Sequence, residues 1–187
     1  MRGLLIASLV AIALLSSGAN ASDHPELAKM FKEDQSDRRD CPDEGPCFIV
    51  PARDKDRQQA ALELLRSGQV RTANDYFHAA LIFQHSRSAE DNALAHALAS
   101  IAARIDPRHR GAKWLAAAAW DRTLMRRGKP QWYGTQYAKS SAGDRWDLHP
   151  VDEKAVTDED RKAVGLAPLA ELRERARKLA VADKPTG

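Results

Sequence analysis

The chain has no G-x-S-x-G elbow, no phosphate-cradling glycine loop and no H-E-x-x-H helix. Each of these would fix a nucleophile, a phosphate or a zinc ion at a set spacing, so none of those ready-made chemistries applies. Charge of one sign is not in excess either: 29 Lys and Arg face 26 Asp and Glu. With no one-signed field there is no general attraction for nucleic acid or an anionic membrane, and no nucleic-acid partner is expected. In Arg53-Asp-Lys-Asp-Arg57 the two signs alternate, the pattern of a solvated face. Long apolar runs are also scarce. The run Leu4–Leu15 is about 12 residues, short of the roughly 20 that a spanning helix needs.

That short run has a different reading. Arg2 precedes it and Ala19-Asn20-Ala21 follows it, which completes the charged region, apolar region and A-x-A site of a secretory signal peptide. Export is expected, to a periplasm or out of the cell, with cleavage behind Ala21. No cysteine follows the run to carry a lipid, so no membrane attachment is expected after cleavage. The remaining length suits one domain with its own core. The expected organisation is a signal peptide at 1–21, a single helical domain at 22–182 carrying a β-hairpin at about 131–151, and a frayed tail at 183–187.

Only two cysteines are present, Cys41 and Cys47, bracketing Pro-Asp-Glu-Gly-Pro. A redox couple would be spaced C-x-x-C, and a metal pair would need a second ligand pair nearby. In an oxidising compartment the two are expected to form a structural disulfide. Closing so short a loop contributes about 2 kcal/mol in the chain-entropy account.

Apolar residues recur mostly at helical spacing. Helices are predicted from His24 to Arg39, from about 54 to 67 ending at Gly68, at about 74–86 with Thr72 or Asn74 as cap, at about 89–105 stopped by Asp106-Pro107, and at about 109–127 ended by Gly128. Leu94, Ala97, Leu98, Ile101 and Ile105 form the predicted stripe of the fourth, and Trp114, Ala117, Ala118, Leu124 and Met125 that of the fifth. The period then changes. Trp132–Ala138 and Arg145–Val151 read as the strands of a hairpin. Thr157 with Asp160 resembles a capping box opening a short helix closed by Gly165, and Leu169, Leu172, Ala176 and Leu179 are the stripe of a last helix. The fold class is mainly α: antiparallel helical hairpins or a bundle, with one small β-hairpin in the C-terminal third.

Several polar residues interrupt these stripes. Leu27, Met30 and Phe31 continue to Asp34 and Arg38, and Trp114, Ala117 and Ala118 continue to Asp121. A carboxylate on a buried stripe must find donors or lose its charge; for Asp121 the expected partner is Arg122 or a basic residue of another helix. His78 and His85 lie seven residues apart, about 10.5 Å of helical rise, too far to share one metal ion. No metal site and no cofactor are expected. Each histidine titrates near neutrality, so either could serve as acid or base, or simply sit hydrogen-bonded at a core edge.

The strings Asp34-Gln35-x-x-Arg38, Asp75-Tyr-Phe-His-Ala-Ala-Leu-Ile-Phe-Gln-His85, Asp121-Arg122 and Gly128-Lys-Pro-Gln-x-Tyr-Gly-Thr-Gln136, with Asp160-Arg161 and Val164-Gly-Leu-x-Pro-Leu169 after them, resemble an uncharacterised bacterial family known by a domain-of-unknown-function label. The resemblance spans roughly Phe31 to Leu172. It implies a helical protein with a small β element and brings no reaction with it.

Three functions remain open. The first is a binding module for a small molecule or peptide, with Gln35, Arg38, His78, Gln84, Arg122, Gln131, Tyr133 and Gln136 as ligand-contacting candidates, because amides and aromatics orient a ligand well but move protons poorly. The second is a hydrolase with His85 as base and Asp34 or Asp121 orienting it. The third is a structural or interaction protein in which the same residues form a satisfied buried network. In the first two, Asp34, His85, Asp121 and Gln136 should converge.

Overall fold

A computed structural model describes residues 21–39, 49–139 and 146–182. Cys41 and Cys47, the expected signal segment up to residue 20 and the tail from 183 lie outside them. The described residues form α1 (Pro25–Arg39), α2 (Ile49–Arg66), α3 (Ala73–Gln84), α4 (Ala89–Ile105), α5 (Arg110–Arg126), β1 (Tyr137–Lys139), β2 (Trp146–Leu148), α6 (Asp158–Ala163) and α7 (Leu169–Ala182). The fold is mainly helical with one small antiparallel pair late in the chain, in which Ala138 pairs with Asp147.

Local signals explain most boundaries. Thr72, not Asn74, caps α3: its hydroxyl accepts from Asp75 N while the Asp75 carboxylate accepts from the Thr72 backbone, a reciprocal capping box. Thr157 and Asp160 repeat the device at α6. Ser88 caps α4, and the His109 ring accepts from Ala112 N at the start of α5. α2 begins earlier than its apolar period suggests, with Pro51 in its first turn, where a missing N–H is tolerated. Gly128, at φ +67, ends α5 in the left-handed region.

The helices pack as consecutive hairpins, α3 on α4 and α4 on α5, with α1 laid across α3 and α2. Leu27, Met30, Ala61, Leu64, Ala79, Ile82, Phe83, Leu98, Leu115 and Ala119 are the centre of the core. The buried face of α4 differs from the predicted stripe. Asn92, Ala95, Leu98, Ala99 and Ala102 point inward, whereas Ile101 and Ile105 are 41% and 50% exposed. On α5 Trp114 is likewise 43% exposed. Helix α4 lies between α3 and α5, and small residues on its inner faces permit that close double packing; the larger isoleucines are turned outward.

The predicted strand 132–138 is also shorter than expected. Regular pairing is confined to Tyr137–Lys139, and residues 131–136 form a bent loop. Gln131 makes an isolated parallel bridge with Val151, its N–H donating to Pro150 O and its carbonyl accepting from Asp152 N. The N–H groups of Trp132, Tyr133 and Thr135 and the carbonyls of Trp132 and Tyr133 go to side chains instead of a ladder.

Candidate functional site

Those side chains are Asp121 and Arg161. Asp121 is fully buried. Its Oδ1 accepts from Trp132 N at 2.8 Å and Tyr133 N at 2.9 Å, and its Oδ2 from Thr135 N at 3.0 Å and Thr135 Oγ1 at 2.8 Å. Arg161, also buried, takes the opposite polarity: Nη2 donates to Trp132 O and Nε to Tyr133 O. A carboxylate gathers the loop's N–H groups and a guanidinium its carbonyls. Among the described residues Asp121 has no cationic ion-pair partner, and three backbone N–H groups and a hydroxyl satisfy the carboxylate instead.

Gln131 completes the loop. Its Nε2 donates to Gln136 O and His149 O, and its Oε1 accepts from Gln136 N. Tyr133 joins through its backbone, while burial, aided by the nearby Asp121 and Asp160 charges, raises its phenol above the ordinary range. Asp121 and Gln131 thus hold the loop through their side chains, and Tyr133 through its backbone.

A second polar cluster forms where α1, α2, α5 and the end of α3 meet. Helical spacing on α1 turns Asp34 into the core beneath Leu27 and Met30. His85 Nε2 lies 3.5 Å from Asp34 Oδ2, which accepts from Gln35 Nε2 at 2.8 Å. Arg38 and Arg57 approach Asp34 Oδ1 at 3.3 and 3.8 Å without hydrogen-bonding geometry. Both arginines are anchored elsewhere. Arg38 makes a two-pronged contact with Asp54, at 3.3 and 3.0 Å, and Arg57 bridges Asp54 and Asp37. From α5, Arg122 donates through Nη1 to Gln84 O at 2.8 Å and through Nε to Gln136 Oε1 at 3.0 Å. Gln136 Nε2 binds Ala118 O and Thr135 Oγ1, so Arg122 and Gln136 tie the loop to this cluster.

The electrostatics are unusual. Burial raises the Asp34 carboxyl above its ordinary range, against the pull of Arg38 and the Gln35 hydrogen bond. Burial, with Arg38, Arg122 and Arg57 around it, pushes His85 down to about 3, so the imidazole is neutral at physiological pH. Burial and the neighbouring Arg126 and Arg38 also lower Arg122. Asp34 Oδ1, His85 Nε2 and Gln84 Oε1 are buried polar atoms with no hydrogen-bond partner. A groove of about 530 Å³ lined by Glu33, Ser36, Asp37, Arg53, Asp56 and Arg57 opens beside α1 and α2. Arg57 and Asp37 belong to both the groove wall and the ion-pair network.

The sequence candidates therefore divide. Asp34, Gln35, Arg38, Gln84, His85 and Arg122 come together, with Gln136 reached through Arg122, whereas the Asp121 carboxylate is held within the loop. His78 lies elsewhere, stacked on Phe31 with ring centroids 4.4 Å apart. Burial lowers its pKa, opposed by Asp23 and Asp75. Sequence reasoning missed Asp54 and Arg57, since Arg53–Arg57 looks solvated throughout. In fact Arg57 is 7% exposed, and the available signal was its place on the α2 face shared with Ala61 and Leu64. Arg161, 2% exposed, was visible only as part of a motif.

Residues 68–182 match DUF6624, a family of unknown function. The chain belongs to that family. The matched region holds His85, Asp121, Arg122, Gln131, Gln136 and Arg161, and it begins after Asp34, Arg38 and Arg57 in the chain. Comparison with curated proteins and with solved structures gives no match.

Proposed function

We propose that this chain is an exported binding protein for a small anionic molecule, held at the Asp34–His85–Arg122 cluster. The observation that carries the reading is the convergence of Arg38, Arg57 and Arg122 on a neutral histidine beside buried polar atoms that make no hydrogen bond. Buried polar atoms ordinarily have partners; Asp34 Oδ1 and Gln84 Oε1 are acceptors, so the anion must also carry a donor, such as a hydroxyl or a P–OH group. Among the described residues no carboxylate lies within ion-pair distance of Arg122, whereas Arg38 and Arg57 are both paired to Asp54. An arginine guanidinium holds a carboxylate or phosphate by charge-assisted hydrogen bonds; Arg122 spends Nε on Gln136 and Nη1 on Gln84 O, and its Nη2 is the donor an anion would take. Export rests on the signal-peptide pattern of residues 1–21, with cleavage behind Ala21. No helix among the described residues is long and apolar enough to cross a membrane.

The hydrolase reading is weaker on the same geometry. A general base works best with a pKa near the working pH, and an imidazole held to about 3 accepts a proton poorly. A bound anion would offset the surrounding arginines, but burial, the largest cause of the shift, would remain.

The test is a thermal-shift screen of the mature chain against small carboxylates, phosphates and cell-wall fragments, repeated with Arg122→Gln. A ligand at 100 times its Kd stabilises the native state by about 2.7 kcal/mol. The expected result is a compound that raises Tm in the wild type and not in folded Arg122→Gln. A compound that raises Tm equally in both binds elsewhere and refutes the site. Failure of both Asp34→Asn and His85→Gln to fold would mark the cluster as structural.

A further inference from the structure

Signal cleavage behind Ala21 would leave Ser22-Asp23-His24 as the first three residues of the mature chain. We propose that this new terminus is a square-planar site for Cu(II) or Ni(II), built from the Ser22 α-amine, the backbone nitrogens of Asp23 and His24, and His24 Nδ1. The proposal rests on the cleavage position given under Proposed function and is independent of the anion site. A histidine third from a free amine closes two five-membered chelate rings and one six-membered ring around a single metal. Four nitrogens in a plane suit Cu(II) and Ni(II).

The structure prepares the imidazole for that role. Ser67 Oγ donates to Glu63 O at 2.8 Å, so it accepts from Gln69 Nε2, also at 2.8 Å. That fixes the Gln69 amide with Oε1 toward the His24 ring, 3.3 Å from Nε2. An oxygen that can only accept places the ring proton on Nε2 and leaves the lone pair on Nδ1. Holding one ring nitrogen through an outer hydrogen bond is how metal-binding histidines are commonly oriented. His24 Nδ1 is buried and has no partner.

The preceding residue is also pinned, because Asp23 Oδ1 accepts from Thr72 Oγ1 at 2.7 Å and Oδ2 from Asn74 Nδ2 at 2.8 Å. Among the described residues, no three His, Cys, Asp or Glu side chains are grouped to hold a metal, so backbone nitrogens are what make this site. In the metal-free chain His24 N–H donates to Asp75 Oδ1 at 2.6 Å, and the metal form exchanges that bond for a metal–nitrogen bond. The balance is simple: one ammonium proton and two amide protons leave, the metal stays divalent, and the protein becomes one unit less positive.

Two measurements test this. Intact mass of the chain recovered after export should place the terminus at Ser22; any other terminus removes the amine and overturns the site while leaving the anion-binding reading untouched. Mature chain beginning at Ser22 is then titrated with copper chloride and nickel chloride, followed by visible absorption, electron paramagnetic resonance and proton release. The expected result is one equivalent of copper in a four-nitrogen environment with three protons released. A chain carrying one extra N-terminal residue, which keeps His24 and its packing, should lose that spectrum, as should His24→Ala. Persistence of the spectrum in the extended chain, or its absence from the Ser22 chain, overturns the proposal.

Discussion

Replacing Asp121 by Asn tests whether the 131–136 loop is held by a buried carboxylate. The substitution keeps volume and shape, so no cavity opens. It exchanges one oxygen, and the charge, for an NH₂ group. If that group takes the place of Oδ2 it faces Thr135 N–H and Oγ1; if it takes the place of Oδ1 it faces Trp132 and Tyr133 N–H. Two of the four bonds are lost in either case, and donors are set against donors. Hydrogen bonds to a charged group contribute about 1.5–3 kcal/mol each, so the loss is about 3–6 kcal/mol. That is a large part of the roughly 5–15 kcal/mol that holds an ordinary domain folded. Urea denaturation followed by far-UV circular dichroism and tryptophan fluorescence gives the value, and coincidence of the two probes checks two-state behaviour. Amide exchange at Trp132, Tyr133 and Thr135 should quicken first if the loop detaches before the helices melt. A loss below about 1 kcal/mol, well under one charged hydrogen bond, with exchange at these amides unchanged, would refute the carboxylate's role.

Acid should weaken the fold through His85. The unfolded chain protonates it near 6.5 and the folded chain only near 3, so the stability this group contributes is complete above 6.5 and is lost as pH falls toward 3. The limiting slope is about 1.4 kcal/mol per pH unit. Asp34 works with the opposite sign, since burial disfavours its ionised form and acid relieves that penalty. Urea midpoints across this range should flatten in His85→Gln, and an unchanged slope would show that the imidazole is not buried neutral. Gly134→Ala should lower Tm more than Gly165→Ala. Both glycines sit at positive φ, +86 and +82, a strain of roughly 1–2 kcal/mol for alanine, but a Cβ at Gly134 also comes within 3.1 Å of Leu172 Cδ1 whereas Gly165 meets open space. Equal losses in the two variants would mean that the loop does not press on α7.

The sequence pattern located the helices well where a cap and an apolar period agreed, as at Thr72 and at Thr157 with Asp160. It failed where burial depended on a neighbour. Ile101 and Ile105 are good stripe residues for a helix packed on one side, but α4 is packed on two, and alanines take its inner faces. Asp34 and His85 were both conspicuous, and they meet. Asp121 was equally conspicuous, but periodicity reports only that a carboxylate is buried, not what it faces, and here it faces backbone. Arg57 was hidden because a helix with alternating charges looks uniformly wet. Only the packing of α1 across it shows which of those charges is turned inward.

The tie between Asp23–His24 and the cap of α3 bears on the order of folding. Asp23 and His24 reach Thr72, Asn74 and Asp75 across about fifty residues of sequence, whereas α3, α4 and α5 join through short local hairpins. Closing a long loop costs entropy that a hairpin does not. On that ground α1 is expected to seat after the α3–α5 hairpins have formed, and its Asp34 to stay in water until then. The Asp34–His85 cluster would then be completed only when α1 docks onto those hairpins.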